Sequence, residues 1–165
     1  MLGMLLASLA WGQEPALTVE PDGTVVAVAV IDASADAVRA VLADVQATAR
    51  LSPEVLSVQA EPEATGRCSE VSRETRGLFH PLRFVARRCP TAEGWHEELV
   101  RSEDFSAYAT DWRVQSTAEG TRVEYRVKTS VRLPIPGAAL AAALKDAAGT
   151  TVKNLVHTVL PEKTR

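Results

Sequence analysis

The sequence predicts an α+β fold in which an antiparallel sheet packs against a long C-terminal helix. A β-branched strand comes first, two short helical stretches follow it, and six strand-like segments come next. Most of the turns between these segments contain Gly or Pro. The last segment, Ala138–Leu160, carries apolar residues at steps of three and four, which is typical of an amphipathic helix of about six turns.

The first third of the chain supplies one strand and two helices. Thr24–Ile31 is a β-branched run that is too short for a typical helix. Ser34 is a suitable N-cap for a helix over Ala35–Leu42. We expect the second helix, Asp44–Leu51, to end there because the residue before Pro53 disfavours helical backbone.

Six strands are predicted between the second helix and the break at Pro134–Gly137. They are Val55–Glu61, Cys68–Arg76, Leu82–Cys89, Trp95–Arg101, Ser106–Ser116 and Thr121–Arg132. Facing residues of a hairpin have a constant sum of residue numbers, so charge pairing fixes the register of two hairpins. The pairs are Glu70 with Arg87, Glu74 with Arg83, Asp111 with Arg126, and Arg113 with Glu124.

These charged pairs mark the outer face of the sheet, so the residues that alternate with them point inward. The inner face then carries Val71, Arg73, Thr75, Leu82, Phe84, Ala86, Tyr108, Thr110, Trp112, Val114, Val123, Tyr125, Val127, Thr129 and Val131. The charged doublet Glu97-Glu98 is interpreted as a solvated or salt-bridged surface, with Glu97 also a candidate internal partner for a buried cation.

The first hairpin register sets Cys68 opposite Cys89, close enough for a disulfide after modest adjustment. A structural disulfide would indicate an oxidising compartment. The alternative is a pair of free thiols on a cytosolic sheet. The Cys-x-x-Cys spacing of a redox motif is missing.

Residues 1–12 form an apolar leader that resembles a secretory signal, and Ala10 and Gly12 would fit cleavage before Gln13. The basic segment that usually opens such signals is missing, so a buried apolar arm is the alternative. The signal would make the protein periplasmic or secreted; without it the protein would be cytoplasmic.

Charge and length limit the function classes. The chain has 165 residues, which favours one domain, placed here at residues 22–160. With 18 Lys and Arg against 21 Asp and Glu and a net charge of −3, it lacks the basic balance of a nucleic-acid binder. The three histidines show no metal-ligand spacing, and no cofactor motif occurs.

The order of elements resembles the helix-grip fold of the START-like (SRPBCC) superfamily, most closely its polyketide cyclase/dehydrase and coenzyme Q-binding-like branch. Val28–Asp44 is similar to that family's opening strand, cap and helix. Gly120–Val127 is similar to one of its strands, and Leu133–Leu160 to its proline break and closing helix. The resemblance implies a curved antiparallel sheet wrapped around the long helix, with a cavity between them.

Arg73 is the most informative residue of the predicted inner face. A guanidinium stays protonated, so it must find an anion or hydrogen-bond acceptors inside an apolar pocket. It would orient the polar end of a ligand, or it would be solvated at the rim or paired with an internal acid such as Glu97.

The other candidate ligand-binding residues are aromatic side chains of the sheet and small side chains of the last helix. They are Phe84, Tyr108, Trp112, Tyr125, Ala148 and Thr151. The alternative for the aromatic set is an ordinary packed core. The segments Gly77–Pro81 and Pro134–Gly137 are the candidate mouth, because backbone breaks beside a cavity allow movement.

The predicted function is binding or transport of a small hydrophobic or amphipathic ligand, such as a lipid, quinone or polyketide, with transient membrane contact as a further expectation. No catalytic or metal residue is assigned. Two alternatives stay open. One is a cyclase or dehydratase using Tyr108, Tyr125 or Glu97, and the other is an interaction module without a cavity.

Overall fold

The computed structural model describes residues 14–61 and 67–160, so the predicted leader lies outside the described residues. The described chain forms eight strands and three helices. In chain order they are β1 Ala16–Val19, β2 Val25–Ile31, α1 Ala35–Ala43, α2 Val45–Leu51, β3 Val55–Ala60, β4 Ser69–Thr75, β5 Leu82–Pro90, β6 Gly94–Arg101, β7 Phe105–Thr117, β8 Gly120–Val131 and α3 Gly137–Val159.

All eight strands join one antiparallel sheet in the order β1-β2-β8-β7-β6-β5-β4-β3. Strands β3 to β8 follow one another along the sheet, and β2 then pairs with β8, where Val28 faces Glu124. Both predicted hairpin registers are confirmed: Glu74 faces Arg83 across β4 and β5, and Asp111 faces Arg126 across β7 and β8. The α+β prediction of a curved sheet around a long C-terminal helix is also confirmed.

Strand β1 was not predicted from the sequence. Ala16–Val19 pairs with the outer edge of β2, so the sheet has one strand more than expected. All four β1 residues are exposed, and such a short strand shows no alternation of buried and exposed positions. Its position depends on the partner strand, which a local pattern does not reveal.

The two short helices are held by their caps. Ser34 Oγ accepts a hydrogen bond from the backbone N–H of Ala37 at 3.2 Å, as expected for an N-cap. Asp44 caps α2 in the same way, with Oδ1 accepting from the N–H of Gln46 at 2.8 Å. Asn154 of α3 donates to the Leu51 carbonyl at 2.8 Å, which ties α2 to the long helix.

The apolar core is divided into two clusters. The larger one lies where α1 and α3 pack on β2 and β8, and it includes the fully buried Val25, Val38 and Leu155. The smaller one contains Phe84 and Phe105 with their neighbours on β5 and β7. Because α3 packs mainly against β2, the inner surface of the more distant strands is less fully covered.

The outer face carries the charged side chains, as predicted, but their contacts differ from simple cross-strand pairs. Glu74 accepts from Arg83 Nε at 2.7 Å, as the register implies. Asp111 instead lies 2.8 Å from His96 Nδ1, and Glu124 is nine-tenths buried beneath arginine side chains. The arginines in contact with Glu124 are Arg113, which is its predicted cross-strand partner, Arg122 and Arg126.

The predicted disulfide between Cys68 and Cys89 is present, with a Cα–Cα distance of 4.2 Å. It joins the ends of β4 and β5 that lie away from their connecting loop, so the hairpin is covalently closed at its base. This bond favours an oxidising compartment for the protein.

Reduction of the disulfide should lower the free energy of unfolding by about 3 kcal/mol, because the bond closes a loop of 21 residues in the unfolded chain. Denaturant unfolding of the oxidised and reduced protein measures the difference. A Cys68→Ser/Cys89→Ser variant should match the reduced protein and be insensitive to reductant. Equal stability of all three states would contradict the prediction.

Candidate functional site

A cavity of about 430 Å³ lies between the inner face of the sheet and α3. That volume is within the range of small-molecule sites. Six of the seven predicted ligand-binding residues line it, namely Arg73, Phe84, Tyr108, Trp112, Tyr125 and Thr151. The wall takes residues from both core clusters, so the cavity lies where the two clusters meet.

Ala148 is the exception, and its predicted place in the cavity wall is corrected. Its side chain is only 1% exposed and belongs to the larger core cluster, beside β2. The small side chain allows α3 to pack closely against the sheet, rather than leaving room for a ligand. Ala143 and Ala147 are the α3 alanines that line the cavity.

Aromatic rings form much of the cavity wall. Phe84 contacts Tyr108 at a centroid distance of 4.6 Å and Phe105 at 4.9 Å. On the neighbouring part of the wall, Trp112 stacks on Tyr125 with centroids 4.3 Å apart and planes 27° apart. These two ring groups give the cavity large, flat apolar surfaces suited to a hydrophobic molecule.

Arg73 and Glu97 form a buried ion pair at the cavity wall. Arg73 is 7% exposed and Glu97 is 5% exposed, and both line the cavity. Both terminal nitrogens of Arg73 donate to the Glu97 carboxylate, Nη2 at 2.9 Å from Oε1 and Nη1 to Oε2. Arg73 is therefore paired with an internal acid, which was one of the alternatives that the sequence left open. The expectation that Glu97 lies on the surface is wrong, because its side chain is buried.

Arg88 is a buried charged residue that the sequence reasoning missed. Its Nη2 donates to the Leu42 carbonyl, its Nε lies 3.7 Å from Glu97 Oε1, and its guanidinium stacks over the Trp95 ring. It stands behind Glu97 and does not line the cavity. The alternation of side chains along β5 could have predicted this, because Arg88 follows Leu82, Phe84 and Ala86 at steps of two residues and so points to the same inner face.

The two tyrosines of the chain both reach the polar part of the cavity. Tyr108 donates a hydrogen bond to Glu97 Oε2 at 3.4 Å. Burial, with the nearby Glu97 charge, raises the pKa of Tyr108 to about 12. Burial also raises the pKa of Tyr125 well above its ordinary value, with further contributions from Tyr108 and Glu97. Both hydroxyls therefore stay protonated at neutral pH and can donate hydrogen bonds.

Both predicted mouth segments border the cavity. Gly77 and Leu78 line it from the β4–β5 loop, and Leu133 and Ile135 line it from the β8–α3 connection. A Cβ atom at Gly77 would collide with the carbonyl oxygen of His80, so this tight loop requires glycine. The loop also presents its apolar tip to solvent, with Leu78 74% exposed.

The structure shows no group of three metal-ligating side chains within residues 14–61 and 67–160. Over the same ranges, no helix is both long enough and apolar enough to cross a membrane.

A curved antiparallel sheet closed by one C-terminal helix over an internal cavity is the helix-grip architecture. The chain matches the family described as polyketide cyclase / dehydrase and lipid transport over residues 22–159, and it belongs to that family. The family and fold that the sequence resembles are thereby confirmed. No curated protein sequence matches the chain.

Solved structures of the same fold include proteins of different described roles. A START superfamily protein from Mycobacterium smegmatis has a TM-score of 0.72 at 18% identity, covering 82% of this chain and 96% of that one. The Zhui aromatase/cyclase from Streptomyces sp. R1128 has a TM-score of 0.65 at 18% identity, covering 84% and 92%. A STAR-related lipid transfer protein from Xanthomonas axonopodis has a TM-score of 0.67 at 17% identity, covering 89% and 99%.

The two tyrosines of the cavity should ionise only at unusually high pH. The native protein should show almost no tyrosinate absorbance at pH 10, the ordinary tyrosine pKa, because the pKa of Tyr108 is about 12 and that of Tyr125 is also raised. Unfolded tyrosines ionise at lower pH, so the free energy of unfolding should fall as pH rises from about 10 to about 12. Spectrophotometric titration measures both, with the protein in denaturant as the control. Native tyrosinate appearing near pH 10 would contradict this burial.

Proposed function

We propose that this protein binds a small hydrophobic or amphipathic molecule in the cavity beneath α3 and acts as its carrier. The cavity itself is the observation that supports this proposal. It has aromatic and aliphatic walls, a volume of about 430 Å³, and a small polar group formed by Arg73, Glu97 and Tyr108. Apolar walls with a few placed polar groups are the usual composition of a small-molecule site.

Each part of the wall has a role in this proposal. Phe84, Trp112 and Tyr125 provide apolar contact area, which contributes about 25 cal/mol per Å² of apolar surface removed from water. Thr151 is a hydroxyl-bearing residue where α3 closes the cavity. The polar side chains orient one end of the ligand.

The family and its solved members support the same class of ligand. The family description includes lipid transport, and one structure of the same fold is a STAR-related lipid transfer protein. The disulfide and the apolar leader further favour an exported carrier, in the periplasm or outside the cell.

A cyclase or dehydratase is the second candidate, and the contact between Tyr108 and Glu97 favours it. A hydroxyl 3.4 Å from a carboxylate inside a cavity can act as a proton-transfer pair. The aromatase/cyclase of the same fold adds a precedent for such chemistry on this architecture. The open cavity disfavours the third class, an interaction module with a solid core.

Filling the cavity should abolish ligand uptake. Ala147 lines the cavity from α3, whereas Ala142 on the same helix is exposed and does not line it. We expect Ala147→Phe to weaken binding of the neutral dye Nile red by at least about tenfold, because the ring would occupy ligand space. Ala142→Phe, which makes the same change in helix propensity, should bind as the wild type does. Fluorescence titration measures the binding of the dye, and circular dichroism checks that each variant is folded. Equal binding by both variants would oppose a carrier role for this cavity.

Transient contact with a membrane is part of the proposed transfer step. Phe79 is 83% exposed beside the equally apolar Leu78, and the loop that carries them borders the cavity. Two such side chains at a cavity mouth can enter the lipid interface while the ligand passes between bilayer and cavity.

Replacing the apolar loop tip should weaken vesicle binding. Burial of a Leu or Phe side chain contributes about 1.5–3 kcal/mol, so Leu78→Ser/Phe79→Ser should bind phosphatidylcholine vesicles more than about tenfold less tightly than wild type. Leu56→Ser is the control, because Leu56 is 47% exposed on β3 and does not line the cavity. Co-sedimentation measures the binding, and an unchanged double variant would exclude this loop as the contact.

A further inference from the structure

The cavity contains an arginine whose carboxylate-binding side is already occupied. An arginine recognises a carboxylate best when two of its N–H groups meet the two oxygens in parallel. In this protein Glu97 takes that position, since it accepts from both Nη1 and Nη2 of Arg73. Glu97 therefore stands where the carboxylate of an acidic ligand would bind.

Displacing Glu97 would be costly for an acidic ligand. The Glu97 side chain is 6% exposed, so a ligand anion that took its place on Arg73 would leave Glu97 with the longer contact to Arg88, whose Nε lies 3.7 Å from Oε1. Arg88 lies outside the cavity lining, so an anion that bound beside Glu97 would meet the Glu97 carboxylate directly while Arg73 is already engaged. Both arrangements disfavour a carboxylate at this wall.

Tyr125 provides a different kind of polar contact. Its ring lines the cavity, and none of the other described residues makes a hydrogen bond to its hydroxyl. Tyr108, in contrast, directs its hydroxyl to Glu97. Tyr125 is half-buried and lines the cavity, so its hydroxyl is available to donate to an oxygen of the ligand.

The position of Tyr125 sets the direction of the ligand. Tyr125 precedes Val131 on β8 by a distance of about 20 Å along the strand, and Val131 is followed by the mouth residues Leu133 and Ile135. A molecule whose oxygen accepts a hydrogen bond from Tyr125 would therefore extend its apolar end toward the mouth.

We infer that the ligand is an uncharged molecule that carries a hydrogen-bond acceptor oxygen, and that the Tyr125 hydroxyl binds this oxygen while Glu97 excludes carboxylates. This inference rests on the proposed function, because it assigns the polar end of the same ligand. It makes Tyr125 and Glu97 the residues that determine specificity.

Three probes of one shape test the inference. They are 2-acetylnaphthalene, which has a neutral carbonyl, 2-naphthoate, which has an anionic carboxylate of similar shape, and 2-ethylnaphthalene, which has neither. Each is titrated against Nile red bound to the wild-type protein. We expect the ketone to bind at least about tenfold more tightly than the carboxylate, and several-fold more tightly than the ethyl compound.

Two variants assign the preference to residues. Tyr125→Phe removes one hydroxyl and should lower the ketone affinity by about five- to tenfold while the ethyl compound is unaffected. Glu97→Gln frees part of Arg73 and should raise the carboxylate affinity by about tenfold or more. Glu98→Gln is the matched control, because Glu98 is the exposed neighbour on the same strand and should change neither affinity.

The outcomes separate this inference from the proposed function. Tighter binding of the carboxylate by the wild type, or equal binding of all three probes with no effect of Tyr125→Phe, overturns the inference and leaves the carrier function in place. Failure of Nile red and every probe to bind overturns both. If Glu97→Gln does not fold, the probe preference of the wild type and the affinities of the Tyr125→Phe variant still test the inference.

Discussion

One helix must cover the inner face of an eight-stranded sheet, and the arrangement of the interior follows from that constraint. Eight strands at the usual spacing span about 34 Å, whereas a helix with its side chains is about 10–12 Å wide. Curvature of the sheet and the two short helices reduce the uncovered area, but α3 packs mainly on β2. The cavity lies where this cover is incomplete, between the two apolar clusters.

The same constraint explains why charged groups on the inner face need partners of their own. A buried ion pair such as Arg73–Glu97 contributes little net stability relative to an apolar pair of similar volume, since desolvation offsets the attraction. Removal of one partner alone costs about 3–5 kcal/mol, because the other charge is then buried and unpaired. A gain in stability therefore does not explain this pair, whereas its position in a cavity wall agrees with the ligand recognition proposed above.

The sequence was sufficient for the sheet registers and for most of the cavity wall. Opposite charges set the two hairpins, and alternation then placed Arg73, Tyr108 and Tyr125 inside, as the structure places them. Glu97 was less clear, because in the doublet Glu97-Glu98 alternation turns one carboxylate inward and the other outward. Deciding between them requires the register of β6 with its neighbours, and a bulge in the β5–β6 ladder shifts that register.

Helix α3 shows a different limit of sequence reasoning. Its three- and four-residue spacing identified the buried face, on which Thr151 and Leu155 lie. Spacing alone did not distinguish the part of that face that meets the sheet from the part that borders the cavity. Ala148 and Ala147 are adjacent small residues, yet one is packed in the core and the other lines the cavity. That difference depends on where the sheet ends beneath the helix, which is a tertiary property.

Among the described residues, β1 and β3 form the two edges of the sheet, and each edge has features that oppose pairing with another chain. At the β3 edge a bulge between Val55 and Ser57 interrupts the ladder, and the Gln46 side-chain amide donates to the Val58 carbonyl at 3.1 Å. A strand from a second molecule would find an irregular edge with one acceptor already occupied. The β1 edge has only four residues, which limits the number of intermolecular hydrogen bonds it can form. The edge strands of this part of the chain thus resist aggregation by strand pairing.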